Sequence, residues 1–575
     1  MKDEAREIVD ARIGDPDGAD DQKKPSAAER MMRLLEEHYE PGISPEGDVF
    51  AVERGGPRVA LLLVRYGSLL RAAALKRFRS RYGETPSANA ARDALAMFEA
   101  ETRFAGLEPT PLHMRFAHPV ADRLLIDLGD PLARVVDVRR DGWEVRLPTS
   151  HDPLFVRTPR LGAYPDPEKG GSLDELRGLV NLTDEEWEVY TAWVISAMFP
   201  NHPQPVLFPE APHGTGKTTI GNIALAHLDP GNWMGAKPRD DRSWETRLSR
   251  SYAVGIDNIS HLNADVQDAI ARAITGDEIS RRRLFTDDDE IRFVLLARMV
   301  MTSIGLPDKR GDFADRLLLL QPREWPPGTT LYEEDVLREK IIALLPVTFG
   351  ALLDLASGVL RMLPQARTSP PPGLRMAAFG VYLEAFDLAC GTDTVDTYRQ
   401  ARIDVTQSAL DGDRLWPHLV ELVAQHDGLL ELSASEIRRA LLAKIRATEE
   451  HKSLVRLVEG EKGELRSPTA TGSWLSRLAG SARPLDWTFR KSHSGSRTWT
   501  IAPPLSEHDG KQVSEVSEVS GVDTLDGLDT LLQASSPAAR ERVICTTDGH
   551  GETTITKVTA GITYLGCGCH RMEDE

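Results

Sequence analysis

One stretch of this chain, from Phe208 to Ile220, constrains its fold more than any other. It reads Phe-Pro-Glu-Ala-Pro-His-Gly-Thr-Gly-Lys-Thr-Thr-Ile and fits the pattern G-x-x-x-x-G-K-S/T except at the first position, where Ala211 replaces glycine. Glycine at Gly214 and Gly216 lets several backbone N–H groups turn inward around a polyphosphate, because no Cβ stands in the way. The stretch therefore predicts a phosphate-binding loop.

The residues of this loop have distinct expected roles. Lys217 would reach the β and γ oxygens of a bound ATP, and Thr218 would ligate Mg²⁺. The helix that follows would point its positive amino-terminal end at the phosphates. The residues expected to bind the nucleotide are His213, Gly214, Thr215, Gly216, Lys217, Thr218 and Thr219.

The sequence on either side of the loop agrees with this prediction. Pro205 to Phe208 is a short apolar run, typical of a buried parallel strand, and the apolar positions after the loop predict a helix that ends at Asp229-Pro230. Strand, loop and helix in this order predict an α/β P-loop NTPase core. The alternative, a glycine-rich turn with an incidental lysine, is disfavoured by the complete Gly-Thr-Gly-Lys-Thr-Thr core.

A second predicted strand, Tyr252 to Asn258, ends in an acid. A carboxylate at that strand tip would complete the Mg²⁺ shell, so Asp257 is the second predicted metal ligand. Many ATPases carry a glutamate at the next position, but Asn258 can orient water without accepting its proton. Asp265 or Asp268 could substitute, although acids are also common in the first turn of a helix.

The next predicted element is a β-hairpin from Ser280 to Phe293 with an acidic turn. Its arginines, Arg281 to Arg283, could contact DNA, reach the nucleotide of a neighbouring subunit or pair with the acids of the turn. We expect Val294–Met301 to be the following strand, ending at Thr302-Ser303 where a sensor of the γ-phosphate would sit.

An arginine precedes the next buried strand, Leu317–Leu320. There Arg316 could complete a neighbouring subunit's site by stabilising charge on the leaving phosphate. The alternative is a structural ion pair with Asp312 or Asp315, and the sequence leaves both possibilities open.

Composition sets the broad class. The chain has 575 residues, room for roughly three or four domains. A net charge of −19 argues against a protein coated in nucleic acid but leaves a local basic face open. Four cysteines are too few for a disulfide framework, and no uninterrupted apolar segment reaches about 18 residues. We therefore expect a soluble cytoplasmic protein with no membrane partner.

Changes of composition predict seven segments. They are a disordered head (1–43), an α+β accessory domain (44–165), a P-loop ATPase core (172–330), a helical lid or collar (331–410), a winged-helix-like domain (411–503), an acidic linker (504–540) and a small terminal segment with cysteine and histidine (541–575). Winged helices often place a helix in a DNA groove, but they also bind proteins. The basic residues that favour DNA are Arg477, Arg483, Arg490, Lys491 and Arg497.

Three other features invite functional interpretations. Asp127 and Asp130 could hold a metal, but a turn at a strand end explains the same residues and is favoured. The basic helix at 71–81 could touch phosphates, although a solvated face is favoured. A small zinc site could form near the carboxyl terminus, but the spacing is not C-x-x-C and free thiols are the favoured alternative. Its candidate ligands are Cys545, Cys567, Cys569 and His570.

Several motifs together resemble one family. They are Gly214-Thr-Gly-Lys-Thr218, Val254-Gly-Ile-Asp-Asn-Ile-Ser260, Thr275-Gly276 followed by Arg281-Arg-Arg-Leu-Phe285, and Asp315-Arg316. The combination resembles P-loop ATPases of actinobacterial phages and integrative elements, which are related to superfamily III and poxvirus-type primase-helicases of the AAA+ class. The resemblance extends over about residues 44 to 505 and is specific in the ATPase core. Thr302-Ser303 replaces the asparagine sensor usual in that family.

The resemblance implies a ring-forming, homo-oligomeric ATPase that acts on DNA during replication of a mobile element. In that reading Lys217, Asp257, Asn258 and Arg316 form the catalytic set, with ATP and Mg²⁺ as cofactors. One alternative is a nucleotide-gated switch that hydrolyses ATP poorly and reads DNA or protein through its winged helix. Asn258 favours this alternative. A small-molecule kinase is a further one, but it would leave the helical and winged regions without a purpose.

Overall fold

The structure of this chain is a computed structural model in which helices and sheets are mixed throughout. It describes residues 25–64, 69–238, 241–248, 250–259, 262, 264–276, 278–282, 290–294, 296–305, 313, 315–447, 452–461, 463–482, 485–492, 498–504, 542–544, 552–559, 562–565 and 570–572. Contacts divide the chain into two units, Met1–Pro504 and Leu505–Glu575. The predicted mixture of α and β structure is confirmed at this level, and the assignment to the P-loop class stays a prediction.

The described residues of the amino-terminal part form three helices and two sheets. The elements are α1 (Ala27–His38), β1 (Tyr39–Ile43), β2 (Val49–Glu53), β3 (Val59–Leu62), α2 (Leu69–Tyr82), α3 (Ala88–Phe104), β4 (Leu112–His113), β5 (Phe116–Val120), β6 (Arg123–Asp127), β7 (Val135–Arg139), β8 (Gly142–Arg146) and β9 (Leu154–Val156). Strands β1, β2, β3, β9 and β4 form one sheet in that order, and β5 to β8 form an antiparallel meander.

The middle of the chain is built on a parallel sheet of four short strands. The elements are α4 (Asp174–Arg177), α5 (Asp184–Ala197), β10 (Val206–Pro209), α6 (Lys217–Leu228), α7 (Asp241–Leu248), β11 (Ala253–Ile256), α8 (Ala264–Thr275), β12 (Glu278–Arg282), β13 (Glu290–Val294), β14 (Arg298–Met301) and β15 (Leu317–Leu320). The strands of the parallel sheet lie in the order β11-β14-β10-β15. Every residue of these strands is buried, which explains why their sequences are apolar apart from Arg298.

Local expectations in this region are confirmed with one correction. Thr183 and Glu186 form a capping box at the start of α5. Strands β12 and β13 form the predicted hairpin. The prediction of one strand over Val294–Met301 is wrong, because Val294 closes the hairpin and only Arg298–Met301 enters the parallel sheet. Apart from Arg298 the stretch is apolar throughout, so its composition could not reveal that two sheets share it.

The long helix α9 is the first helix of a helical region that packs on the meander and on the parallel sheet. The region comprises α9 (Glu334–Thr368), α10 (Ala377–Cys390) and α11 (Thr394–Asp411). By length and composition α9 is the one described helix that could cross a membrane, but 56% of its most apolar window is buried inside the protein. Its Ser357 hydroxyl donates to the Arg139 carbonyl, and Asp354 accepts from the Trp143 indole. These contacts are those of a core helix.

Residues 416–502 have their own hydrophobic core around Trp474 and Trp499. The described residues here form α12 (Trp416–Ala424), β16 (Leu430–Ser433), α13 (Ala434–Ala447), α14 (Lys452–Glu459), α15 (Pro468–Ser481), β17 (Thr488–Lys491) and β18 (Thr498–Ala502). The three strands form an antiparallel sheet in the order β16-β18-β17 that packs with the helices. The winged-helix assignment of this region stays a prediction.

The second unit, Leu505–Glu575, is described through four strands that form a sheet in sequence order. These strands are β19 (Arg542–Ile544), β20 (Glu552–Thr559), β21 (Ile562–Leu565) and β22 (His570–Met572).

One hydrophobic core extends from Phe116 to Val405. It joins the meander, the parallel sheet and the helical region, so residues on both sides of the predicted boundaries at 165 and 330 share it. Tyr164 is an example, since its ring stacks on Phe349 of α9 with 4.3 Å between ring centroids. The parallel sheet is thereby held between neighbours on two sides.

Candidate functional site

A cleft of about 710 Å³ opens where the strands of the parallel sheet end. Strand β10 leads through the loop 210–216 into helix α6, and β11 and β14 end beside that loop. The carboxyl ends of adjacent parallel strands lie at one edge of a sheet, where crevices for ligands form. The cleft is therefore placed by the topology of the sheet.

The loop needs glycine at two positions. Gly214 and Gly216 have φ angles of +83° and +86°, in the left-handed region where residues with a Cβ are strained. Gly216 is also the residue that caps the start of α6. A Cβ on Gly216 would lie 3.7 Å from the Trp325 indole nitrogen, so this part of the loop is covered by a tryptophan. Ala211, where the pattern has glycine, is buried and makes no such demand.

Lys217 is held against its own loop. Its ammonium group donates to the carbonyls of Ala211 and Pro212 at 2.6 and 2.5 Å. Burial lowers the pKa of Lys217, while the negative charges of Asp257 and Glu210 act in the opposite direction. Of these charged groups, Lys217 and Asp257 line the cleft.

Asp257 joins three elements through two hydroxyl groups. The Thr218 hydroxyl, in the first turn of α6, lies 3.1 Å from its Oδ1 atom. The Thr302 hydroxyl, after β14, donates to the same oxygen at 2.5 Å and accepts from the Asn258 amide at 2.9 Å. Thr302 is fully buried, so its hydroxyl orients the carboxylate.

Asn258 follows Asp257 with a φ angle of +54°, a conformation that asparagine tolerates better than most residues. Its side chain is exposed on the cleft. Among the described residues that line the cleft, only Asp257 and Glu334 carry carboxylates. Asp265 and Asp268 lie on α8 and do not line it. Among the described lining residues, the one that directly follows Asp257 at the tip of β11 is therefore not a carboxylate.

Most of the loop residues proposed from the sequence reach the cleft. His213, Gly214, Gly216, Lys217, Thr218 and Thr219 line it. Thr215 does not, because it is buried with its hydroxyl bonded to the Pro212 carbonyl at 3.1 Å. Thr302 lines the cleft, whereas the buried Ser303 hydroxyl bonds to the Ile259 carbonyl at 2.5 Å.

Arg316 lies at the opposite edge of the sheet. It immediately precedes β15, whose first residue pairs with Val206 at the start of β10. The full length of the strand therefore separates Arg316 from the loop of its own chain. Of the two proposed acidic partners, Asp315 bonds to Arg375 and Arg402 at 3.4 and 3.3 Å. Asp312 lies outside the described residues.

The structure also locates the other candidate residues. Asp127 and Asp130 pair with Arg157 and Arg134 at 2.6 and 2.5 Å, which agrees with the favoured structural interpretation. Across the described part of the chain, no group of three or more histidine, cysteine or acidic residues could hold a metal. On α2, Arg81 pairs with Glu37 and the other basic residues differ in exposure.

Two proposals fall on residues that the structure does not describe in full. Arg281 and Arg282 lie on β12 without described side chains, and Arg283 is outside the described residues. The proposed zinc ligands Cys545, Cys567 and Cys569 are also outside, and His570 is described only as part of β22.

Sequence reasoning missed the apolar residues that line the cleft outside the phosphate loop. They are Leu179, Met234, Trp325, Leu331 and Tyr332. They come from three connecting segments with no regular periodicity and no glycine-lysine pattern. The only local signal was the aromatic and proline-rich sequence Trp325-Pro-Pro-Gly328 after a buried strand.

These features define a mixed α/β protein with a glycine-loop cleft at the carboxyl edge of a parallel sheet. Residues 173–408, which carry that cleft, match the model of a family described as actinomycete integrative conjugative element replication protein. The match covers the site but less than half of the chain. No curated protein matches the sequence.

Solved structures similar to this chain include the apo C-terminal region of NrS-1, with a TM-score of 0.36, 12% identity and coverage of 83% of this chain and 99% of that chain. Another is a JCV helicase bound to a small molecule, with a TM-score of 0.17, 14% identity and coverage of 41% of this chain and 70% of that chain. At these TM-scores neither similarity bears on the function of this chain.

Proposed function

We propose that this chain binds ATP with Mg²⁺ and hydrolyses it to act on DNA during replication of a mobile element. The observation that carries the proposal is the meeting of Lys217, Thr218, Asp257 and Thr302 beside a glycine loop at the carboxyl edge of a parallel sheet. The family match over the same residues supports the link to replication.

The residues of the cleft suit this role chemically. Backbone N–H groups at Gly214 and Gly216, together with the Lys217 ammonium, offer positive charge to a polyphosphate. The Thr218 hydroxyl and the Asp257 carboxylate converge to within 3.1 Å and are the hard oxygen donors that Mg²⁺ prefers. Mg²⁺ would neutralise charge that develops on the transferred phosphoryl group. Asn258, exposed on the cleft, would orient the attacking water.

The proposal includes a ring of identical subunits. Because Arg316 lies a full strand length from the loop of its own chain, it could serve only the nucleotide of a neighbouring subunit. A surface that binds a different surface of the next copy generates closed rings when the rotation closes. Asp315, held by Arg375 and Arg402, lies directly before Arg316 and would steady its backbone.

Contact with DNA is assigned to residues 416–502. Exposed basic side chains are present on α15 and on the hairpin, namely Arg477, Arg490 and Lys491. Such groups neutralise backbone phosphates without reading sequence. The winged-helix arrangement proposed for this region would bring a helix to the groove.

A nucleotide-gated switch is the second candidate function. The specific observation in its favour is Asn258, which cannot remove a proton from water, in a cleft whose described lining holds only two carboxylates. In this case the protein would bind ATP tightly, hydrolyse it slowly and use its carboxyl-terminal region as a reader. The chain would then change partners rather than move along DNA.

The first test is ATP turnover by the full chain with and without single-stranded DNA. Lys217→Ala is the inactive comparison, because it removes the ammonium group from the phosphates. Loss of one such group lowers turnover by about a hundredfold or more. Lys76→Ala, at an exposed lysine on α2, is the matched control and should behave as the wild type.

The outcomes separate the candidates. Strong stimulation by DNA that disappears in Lys217→Ala supports the motor. Tight ATP binding with turnover close to that of Lys217→Ala contradicts the motor and leaves the switch. Transfer of phosphate to a small acceptor would contradict both and indicate a kinase.

A further inference from the structure

The cleft is also lined by apolar side chains that the phosphate chemistry does not use. They are Leu179, Met234, Trp325, Leu331 and Tyr332. The side chains of Leu331 and Tyr332 are 62% and 44% exposed. Adjacent large apolar side chains in solvent mark a surface that another group covers.

Residues 325–332, which contribute Trp325, Leu331 and Tyr332 to the cleft, form an apolar wall. This wall is anchored at its start. The Asn181 side-chain amide donates to the carbonyls of Arg323 and Glu324 at 3.0 and 2.8 Å, and the Arg323 amide donates back to the Asn181 carbonyl at 2.9 Å. Asn181 lies two residues after Leu179, so these hydrogen bonds link the segments that carry two lining residues of the cleft, Leu179 and Trp325.

A turn and a helix hold the remainder of the wall. Thr329 closes a turn by bonding to the Pro326 carbonyl through both its amide and its hydroxyl, at 3.1 and 2.8 Å. The Lys340 ammonium, on the second turn of α9, lies 4.6 Å from the centre of the Tyr332 ring. The ring is therefore oriented before any ligand arrives, which reduces the entropy lost on binding.

We infer that residues 325–332 form a nucleobase-binding wall, against which the base of a nucleoside triphosphate packs while its phosphates lie in the glycine loop. This inference rests on the proposed nucleotide binding and adds the group that the site recognises. A planar heterocycle can stack on the exposed ring of Tyr332 and bury the apolar side chain of Leu331. Trp325 links the wall to the loop, because it also covers Gly216.

The alternative occupants are less well matched to the wall. A peptide from a second copy would cover Leu331 and Tyr332, but it would have no use for the adjoining Lys217, Thr218 and Asp257 in the same cleft. An inorganic polyphosphate would use those residues and leave the wall in solvent. A nucleotide uses both the wall and these residues.

The experiment compares two ligands on the same protein, MgATP and Mg-tripolyphosphate, which lacks a base. Dissociation constants are measured by calorimetry for the full chain and for Tyr332→Ala. Removal of a stacking ring should weaken MgATP binding about tenfold. Binding of Mg-tripolyphosphate should not change, and this also shows that the variant is folded.

Three further variants serve as controls for the comparison. Tyr332→Phe keeps the ring and should bind MgATP as the wild type does. Phe104→Ala removes an aromatic ring that is 90% exposed away from the cleft and should alter neither constant. Trp325→Ala should weaken both ligands, because Trp325 also packs on the phosphate loop.

Failure of the nucleobase-binding wall can be distinguished from failure of the proposed function. If Tyr332→Ala binds both ligands as the wild type does, or weakens both equally, the nucleobase wall is wrong and the proposed function stands. If the wild type binds neither ligand, or Lys217→Ala binds both unchanged, the proposed function itself is wrong. If Tyr332→Ala changes only the sedimentation behaviour of the chain, a second copy covers the wall and the inference fails.

Discussion

At the scale of single residues, the Thr302 hydroxyl contacts two candidate catalytic residues, which its place in the sequence did not indicate. We expected a γ-phosphate sensor at this strand end, and the structure shows a buried hydroxyl that bonds to Asp257 at 2.5 Å and to the Asn258 amide at 2.9 Å. Both neighbours belong to the proposed metal and water positions. Thr302 therefore sets the geometry of two candidate catalytic residues at once.

Thr302→Val tests this role, because valine has nearly the same shape but no hydroxyl. We expect the free energy of unfolding to fall by about 1–3 kcal/mol, since the Asp257 and Asn258 groups lose a buried partner. ATP turnover should fall as well. Urea unfolding and a turnover assay measure the two effects, and Thr302→Ser should retain both values. Unchanged turnover in Thr302→Val would show that the hydroxyl does not position these groups.

At the scale of elements, helix α9 is shaped by a loop that crosses it. The Glu168 amide donates to the Pro346 carbonyl at 2.9 Å. A Cβ on Gly350 would lie 1.7 Å from the Glu168 carbonyl oxygen, and one on Gly171 would lie 1.9 Å from the Val347 carbonyl oxygen. Glycine is needed at both positions because the backbones of the loop and the helix are in direct contact. This contact holds the region before α4 on the helix that begins beside the cleft.

Gly350→Ala and Gly358→Ala form a matched pair within α9. Alanine normally stabilises a helix relative to glycine by up to about 1 kcal/mol. At Gly358 the new Cβ would meet only the Ala389 Cβ at 3.4 Å, so Gly358→Ala should be neutral or stabilising. At Gly350 the clash with backbone should outweigh propensity, and Gly350→Ala should lose about 1–3 kcal/mol. Chemical unfolding measures both, and equal effects would contradict the close contact.

At the scale of the whole molecule, a buried ion pair joins the meander to the end of α6. The side chains of Arg115 and Asp229 are 0% and 3% exposed and lie 2.8 Å apart. Arg115 also donates to the Asp127 carbonyl and lies over the Tyr164 ring, 4.6 Å from its centre. The amino-terminal sheets are thereby tied to the helix that begins at the phosphate loop.

Arg115→Met should destabilise the protein by about 3–5 kcal/mol, because it leaves the Asp229 carboxylate buried without its cation. Adding Asp229→Asn should recover part of the loss, since the amide oxygen can still accept from the Gly162 amide. Arg103→Met, which breaks an exposed pair with Glu99, should cost only about 0.3–0.5 kcal/mol. Similar costs for Arg115→Met and Arg103→Met would show that the buried pair does not join these parts.

The sequence predicted those features that depend on a few neighbouring residues. Gly214 and Gly216 were expected to let the loop backbone turn inward, and both have positive φ angles. The strand Leu317–Leu320 was found where the local pattern placed it. The error at Val294–Met301 arose where one largely apolar stretch serves two sheets, a choice that composition does not encode.

Local sequence is enough to specify most helices and strands and the chemistry of the glycine loop, because capping, periodicity and left-handed turns are decided within a few residues. Tertiary structure alone decided which side chains meet. Thr302 lies 45 residues from Asp257 in the chain and bonds to it only because the sheet order places β14 between β11 and β10. The wall at Tyr332 likewise reaches the cleft through contacts with Asn181 and α9. These contacts between distant residues follow from burial of a shared core, which no local stretch of sequence specifies.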